Sequence, residues 1–200
     1  MGVAERKIRH KEQVRGAILQ SAWKIATEEG WQTLSIRKIA DAIEYSVPVI
    51  YSHFENKEAI LLEFTKEGFT LLTQELLKVK ESEQEHGCQL VKMAKAYWNF
   101  AFVNKEYYQL MFGLGMPACE MVNTVPEMKT FTEVMISSIS AAIAQSKNPD
   151  AEVFMKYHAY WSILHGLVAI QMIEKNAYPD EFKQKVLQDA IEGFVRGIGG

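Results

Sequence analysis

The chain has 200 residues, 48% hydrophobic and 11% aromatic, enough for one large domain or a small one joined to a medium one, with a core that needs no staples. Five prolines, 12 glycines and 24% charged residues exclude collagen-like, low-complexity and largely disordered classes. The net charge of −3 is unevenly spread: residues 1–40 carry eight Lys/Arg against four acids (+4), whereas residues 61–200 carry 13 against 17 (−4), which directs any polyanion to the N-terminal end.

No apolar run reaches the roughly 18 residues of a membrane span. The charged N-terminus MGVAERKIRHKEQ is unlike a signal core, and a cytoplasmic location is expected. Cys88 and Cys119 form no C-x-x-C pair and have no histidine cluster beside them. Neither a disulfide framework nor a metal site is indicated, and both are read as small buried hydrophobes.

Strand alternation and hairpin dipeptides are lacking, so the expected fold class is all-α, with about nine helices. Val14, Ile18, Ala22, Ile25 and Ala26 repeat at helical spacing up to Gly30, a C-terminal stop. Arg6, Lys7, Arg9 and Lys11 precede this repeat and read either as an arm directed at a polyanion or as a solvated tail. Ser35 is placed to cap a short helix carrying Ile36, Ile39, Ala40 and Ile43. Ser46 is placed to cap another, in which Pro48 is tolerable in the first turn. Asn56 caps a longer helix over 57–80. After the polar stretch 81–87 come aromatic-rich helices over 88–104 and 105–114, a break at Gly115-Met-Pro117, and a helix over 126–147. Asn148-Pro149-Asp150 opens a long helix to about 176, and Pro179-Asp180 opens the last. Two domains follow, 1–56 and 57–200, joined within a helix and not by a flexible linker.

Three consecutive helices with a tight turn at Glu44-Tyr45-Ser46 have the pattern of a helix-turn-helix, whose second helix can enter a major groove about 12 Å wide. Within it run Ile18-Leu-x-x-Ala22-x-x-Ile25-Ala26-x-x-x-Gly30, Leu34-Ser35-Ile36-Arg37-Lys38-Ile39-Ala40 and Ser46-Val-Pro48-Val-Ile50-Tyr51-Ser-His53-Phe54-x-Asn56-Lys57-Glu58-x-Ile60-Leu61. These residues closely resemble the DNA-binding domain of the TetR family of bacterial transcriptional regulators. Trp161-Ser-Ile-Leu-His165-Gly166 further resembles the WHG-type C-terminal domain of some members.

The resemblance implies a DNA-contact set of Ser35, Arg37, Ser46, Val47, Pro48, Val49, Tyr51, Ser52, His53 and Lys57. Ser35 suits a phosphate, Arg37 a phosphate or a guanine edge. Val47, Pro48 and Val49 stand where the family reads bases and, being apolar, leave thymine-methyl contact and shape readout. Tyr51, Ser52 or His53, and Lys57 match phosphate-clamping positions. Tyr51 and His53 also suit packing roles, and Lys38 suits simple solvation. Glu44 departs from the family, where glycine is usual; a positive φ there costs on the order of 1 kcal/mol.

A two-fold operator requires a two-fold protein. The family's dimer of last helices implies an interface of Ala159, Ser162, Gly166 and Ala169 with Val186, Ala190, Phe194 and Gly197. Trp98, Phe102, Tyr108, Met111, Phe112, Met128, Phe131, Met135, Tyr157 and Trp161, with Tyr107, Met116 and Met121 nearby, are many rings and thioethers for one body. They suit an apolar effector cavity, or an ordinary core. No cofactor is implied, and His158 and His165 lack a third ligand for a metal.

The expected protein is a homodimeric regulator, a repressor released from a pseudo-palindromic operator by a small hydrophobic molecule, with no catalytic residues and no membrane partner. Two alternatives are a helical ligand-binding protein or enzyme with a vestigial helix-turn-helix, and a ligand-independent DNA-binding protein.

Overall fold

The computed structural model describes residues 2–113, 125–173 and 178–199, and among them the fold is all-α, with nine α-helices. They are α1 (Val3–Glu29), α2 (Ile36–Ala42), α3 (Val47–Tyr51), α4 (Lys57–Ser82), α5 (His86–Val103), α6 (Lys105–Gly113), α7 (Pro126–Ala144), α8 (Val153–Ile173) and α9 (Asp180–Gly199). The break at Gly115-Met-Pro117, Met116, Met121, Cys119 and the end of the long helix near 176 lie outside the described residues.

The main correction concerns the start of α1. The apolar repeat begins at Val14, yet the helix begins at Val3 and takes in Arg6, Lys7, Arg9 and Lys11. No apolar face calls for these turns, but Glu, Arg, Lys and Gln are good helix formers, and the Glu5 carboxylate accepts a hydrogen bond from Gly2 N–H at 2.9 Å. The basic segment is therefore helical throughout. α1 ends as expected at Gly30, whose φ of 88° suits glycine and whose N–H donates to Ala26 O at 2.9 Å. A 3-10 turn, Trp31–Thr33, which the sequence pattern did not suggest, then buries Trp31.

The chain divides into two compact units. The first comprises residues up to Glu67 together with α6 from Glu106; the second comprises Gly68–Lys105 and the described residues from Val125 onward. In the first, α1 packs on α2 and α2 on α3 around Ile18, Ala22, Ile39, Ala40 and Ile50, each 1% exposed or less. Trp23, Trp31, Phe64 and Tyr107 form an aromatic cluster, with Trp23 and Tyr107 stacked at 4.2 Å. The Trp31 indole N–H donates to Glu106 O at 2.8 Å, which fixes α6 in this unit. Burial, together with a hydrogen bond to Glu67, pushes the Tyr107 phenol well above its usual pKa.

In the second unit α5 packs against α7, α8 and α9, and α8 against α7 and α9. Phe69, Leu72, Leu76, Leu90, Met93, Tyr97, Phe131, Ile139, Tyr160, Val168 and Ile191 form its centre. Tyr160 is fully buried, and its hydroxyl donates to Leu90 O at 2.5 Å. Buried Gln89 donates to Lys80 O and Glu83 O, tying the α4–α5 connection. Cys88, expected to be buried, is exposed. It stands in the first turn of α5, where its N–H and that of Gly87 are capped by the Glu85 carboxylate and its side chain meets solvent.

Candidate nucleic-acid interface

α3 has five residues, far below the roughly 12–15 that an isolated helix needs, so tertiary contacts must hold it. Ile50 at 0% and Phe54 at 5% exposure anchor it from beneath, with about 1.5–3 kcal/mol available from each buried side chain. The rest of the segment faces outward: Ser46, Pro48, Tyr51 and Ser52 are exposed, while Val47, Val49 and His53 are half-buried. Tyr51 is 53% exposed, which leaves its ring open to a partner outside the chain. Ser46 caps α3 without a side-chain hydrogen bond; its carbonyl accepts from Val49 N–H at 2.9 Å, which leaves the hydroxyl unengaged in capping. The Ser52 hydroxyl donates to Val49 O at 2.7 Å.

Ser35 caps α2 as expected, its hydroxyl oxygen accepting from Lys38 N–H at 3.2 Å with its own proton free to donate. Arg37 is exposed in the first turn. Lys38 is exposed, as expected, and pairs at the surface with Glu29 at 2.7 Å, a contact between α1 and α2. Asn56 caps α4, its side-chain oxygen accepting from Ala59 N–H at 2.8 Å. Lys57 is half-buried and donates to Trp31 O at 3.3 Å, which holds the ammonium at the start of α4 with donors to spare. Glu44 has φ 58°, the positive value its place in the turn raised as a question.

Periodicity did not reveal the Arg15–Glu63 pair at 2.5 Å, flanked by Lys66 at 3.2 Å from Glu63. Arg15 also lies over the Phe54 ring, 4.9 Å from its centroid. The only signal was the i+4 spacing of Lys7, Lys11 and Arg15, which is legible once those turns are known to be helical.

The ten candidate effector-site residues fall into three groups. Tyr108 and Met111 are buried and Phe112 half-buried on α6 in the first unit. Met128, Phe131 and Met135 form a buried stripe on α7, with Phe131 against Phe69 and Tyr97, while on α8 Tyr157 stacks with Trp161 at 6.0 Å. Trp98 and Phe102, 4.8 Å apart, line a cleft of about 260 Å³ between α5 and α9 with Lys183 and Gln184.

Of the candidate dimer residues, Ala159, Ser162 and Gly197 are exposed and Gly166, Ala169, Val186, Ala190 and Phe194 half-buried. A Cβ built at Gly166 or Gly197 meets nothing within 4 Å. Phe194 packs within the chain against Tyr160 at 5.2 Å.

A tightly turned pair of short helices, the second set outward on two buried anchors, in an N-terminal unit whose first 40 residues are basic, followed by an all-helical one, is the build of a DNA-binding transcriptional regulator. Residues 18–64 match the model of the bacterial regulatory proteins of the tetR family, and residues 90–191 match that of the tetracyclin repressor-like C-terminal domain. The chain belongs to the TetR family. The WHG-type likeness rests on the Trp161–Gly166 motif alone. Over 190 residues the chain is 22% identical to the HTH-type transcriptional activator FasR of Mycolicibacterium smegmatis, covering 95% of this chain and 83% of that one. A solved structure of a protein of unknown function from Rhodococcus sp. RHA1 has the same fold, with a TM-score of 0.78, 22% identity and coverage of 93% and 95%. So has the transcriptional regulator FadR from Bacillus subtilis in complex with stearoyl-CoA, with a TM-score of 0.72, 15% identity and coverage of 90% and 97%.

Proposed function

We propose that this regulator acts as a cytoplasmic homodimeric repressor, non-enzymatic, that holds a pseudo-palindromic operator and releases it when a hydrophobic molecule enters the second unit. Residues 1–56, with Lys57 at the start of α4, hold the DNA, and the remainder of 57–200 carries the effector site and the dimer contacts. The observation that carries this reading is the Ser46–Phe54 segment, anchored by Ile50 and Phe54 with its polar and small apolar side chains turned to solvent. Val47, Pro48 and Val49 suit methyl and shape readout, and Ser35, Arg37, Tyr51, Ser52, His53 and Lys57 suit phosphates.

Dimerisation through α8 and α9 is supported by exposed Phe154, Met155, Ile170 and Phe182 and by the open space outside Gly166 and Gly197. α8 carries apolar side chains on more than one side, and those left exposed call for cover. Stearoyl-CoA, bound by the similarly folded FadR, sets the class of compound to try first. Release follows if the compound binds better to a conformation in which the two copies of α3 no longer match successive grooves about 34 Å apart. FasR is named an activator, and the opposite sign of response is the second reading. Titrating stearoyl-CoA into a preformed complex with a selected duplex separates them: DNA is released from a repressor of this kind, and its retention is tightened in the alternative. An unchanged complex across acyl chain lengths refutes the acyl effector.

A further inference from the structure

Just past α3 the fold gathers titratable and cationic side chains from two elements. The His53 backbone N–H donates to Ile50 O at 3.0 Å, and the ring atom Nδ1 is buried with no hydrogen-bond partner. The charged groups acting on this ring come from α1: Lys11, Arg15 and His10. Lys7, Lys11 and Arg15 follow one another at i+4, and His10 lies at i+3 from Lys7, so all four lie along one side of the helix. Val14, on the same side, is 4% exposed, which turns that side toward the rest of the unit. From α4, Glu63 reaches this group by pairing with Arg15 at 2.5 Å, and it also holds Lys66 at 3.2 Å.

This setting disfavours the charged form of the ring. Burial comes first, followed by the positive charges of Lys11, Arg15 and His10, and together they depress its pKa below 6.5. A polyanion laid over the same side chains reverses the local field and favours the charged ring.

We propose that Lys7, His10, Lys11 and Arg15 of α1, with His53 behind α3, form a seat for the phosphate backbone of duplex DNA, and that filling this seat places a proton from solvent on His53. The inference rests on the DNA-binding reading above and adds a proton to the reaction. No covalent bond changes: one proton leaves the buffer and one imidazole becomes imidazolium beside the phosphate. Between the pKa of His53 in the free protein and its higher value in the complex, binding takes up as much as one proton. Affinity then falls by up to about tenfold per unit rise in pH across that window.

The test is fluorescence anisotropy of a labelled duplex, selected by the full-length chain from a random pool, at fixed ionic strength from about pH 5.5 to 8.5. The wild type is expected to bind more weakly as pH rises. His53→Gln should lose most of that slope, and the slope, not the absolute affinity, is the readout, because His53 itself belongs to the seat. An equal slope in His53→Gln, or a flat wild-type profile, overturns the inference. Should His53→Gln fail to fold, proton NMR of the histidine rings in His10→Gln decides: the ring assigned to His53 must titrate at higher pH in the complex than in the free protein, and no such shift overturns the proposal. Retention of DNA with pH-independent affinity sinks this inference alone, whereas no retention at any pH sinks the regulator reading with it.

Discussion

Glu44 closes the turn between α2 and α3 at φ 58°, the one positive φ outside glycine among the described residues. For an L-residue this conformation costs roughly 1–2 kcal/mol. Glycine escapes that cost but loses roughly 0.5–1 kcal/mol through the greater freedom of its unfolded chain. The turn itself does not need the side chain: Glu44 N–H donates to Asp41 O at 3.3 Å, Tyr45 N–H to Ala40 O at 3.0 Å, and the carboxylate is exposed. Glu44→Gly is therefore expected to stabilise the first unit by about 1 kcal/mol. For a cooperative unit of 60–100 residues that is a rise in Tm of roughly 4–8 °C. Glu44→Ala removes the same carboxylate and keeps the strain, so its Tm should match the wild type. Thermal unfolding followed by circular dichroism, with urea titrations for the free energies, measures both. Stabilisation of Glu44→Ala equal to that of Glu44→Gly would mean that charge and not backbone strain is relieved, and an unchanged or lower Tm for Glu44→Gly refutes the argument outright.

Tyr51→Phe and Lys57→Ala are each expected to weaken binding to all duplexes alike, and comparison of several operator variants checks that their ranking stays the same. Val49→Ala should alter that ranking if, as proposed, its methyl groups meet the bases; an identical ranking excludes Val49 from readout. Gly166→Arg places a large charged group where a Cβ meets nothing within 4 Å, so the chain should fold normally yet sediment as a monomer; a persistent dimer contradicts the α8–α9 interface. Burial depresses the pKa of His165 below 6.5, so the unfolded chain takes up more protons. Stability should be full above about pH 6.5 and decline as the pH falls through the window below it. His165→Gln should flatten that part of the unfolding free energy plotted against pH, and an unaltered decline counts against the assignment.

What the sequence made legible were features governed by local rules. The Ser35 and Asn56 caps, the Gly30 stop and the extent of α4 follow from short-range hydrogen bonding and apolar spacing, and each was anticipated within a few residues. The first turns of α1 were missed because their stability comes from helix propensity and a Glu5 cap, not from an apolar face. Arg15–Glu63 and Trp31–Glu106 join residues far apart in the chain, and no spacing rule predicts such partners. Cys88 was read as buried from the habit of its residue type, but a position in the first turn of α5 overrides that habit. The effector residues were gathered by composition, which cannot distribute them among α5, α6, α7 and α8.

The direct measurement is selection of bound duplexes from a random pool by the full-length protein, followed by titration of the enriched duplex at several salt concentrations. Enrichment of an inverted repeat whose half-sites lie about one helical turn apart is expected, with two chains bound per site and log affinity falling steeply and linearly with log salt. A pool that stays random, or an enriched site bound by one chain with little response to salt, would contradict the placing of two copies of α3 in successive major grooves.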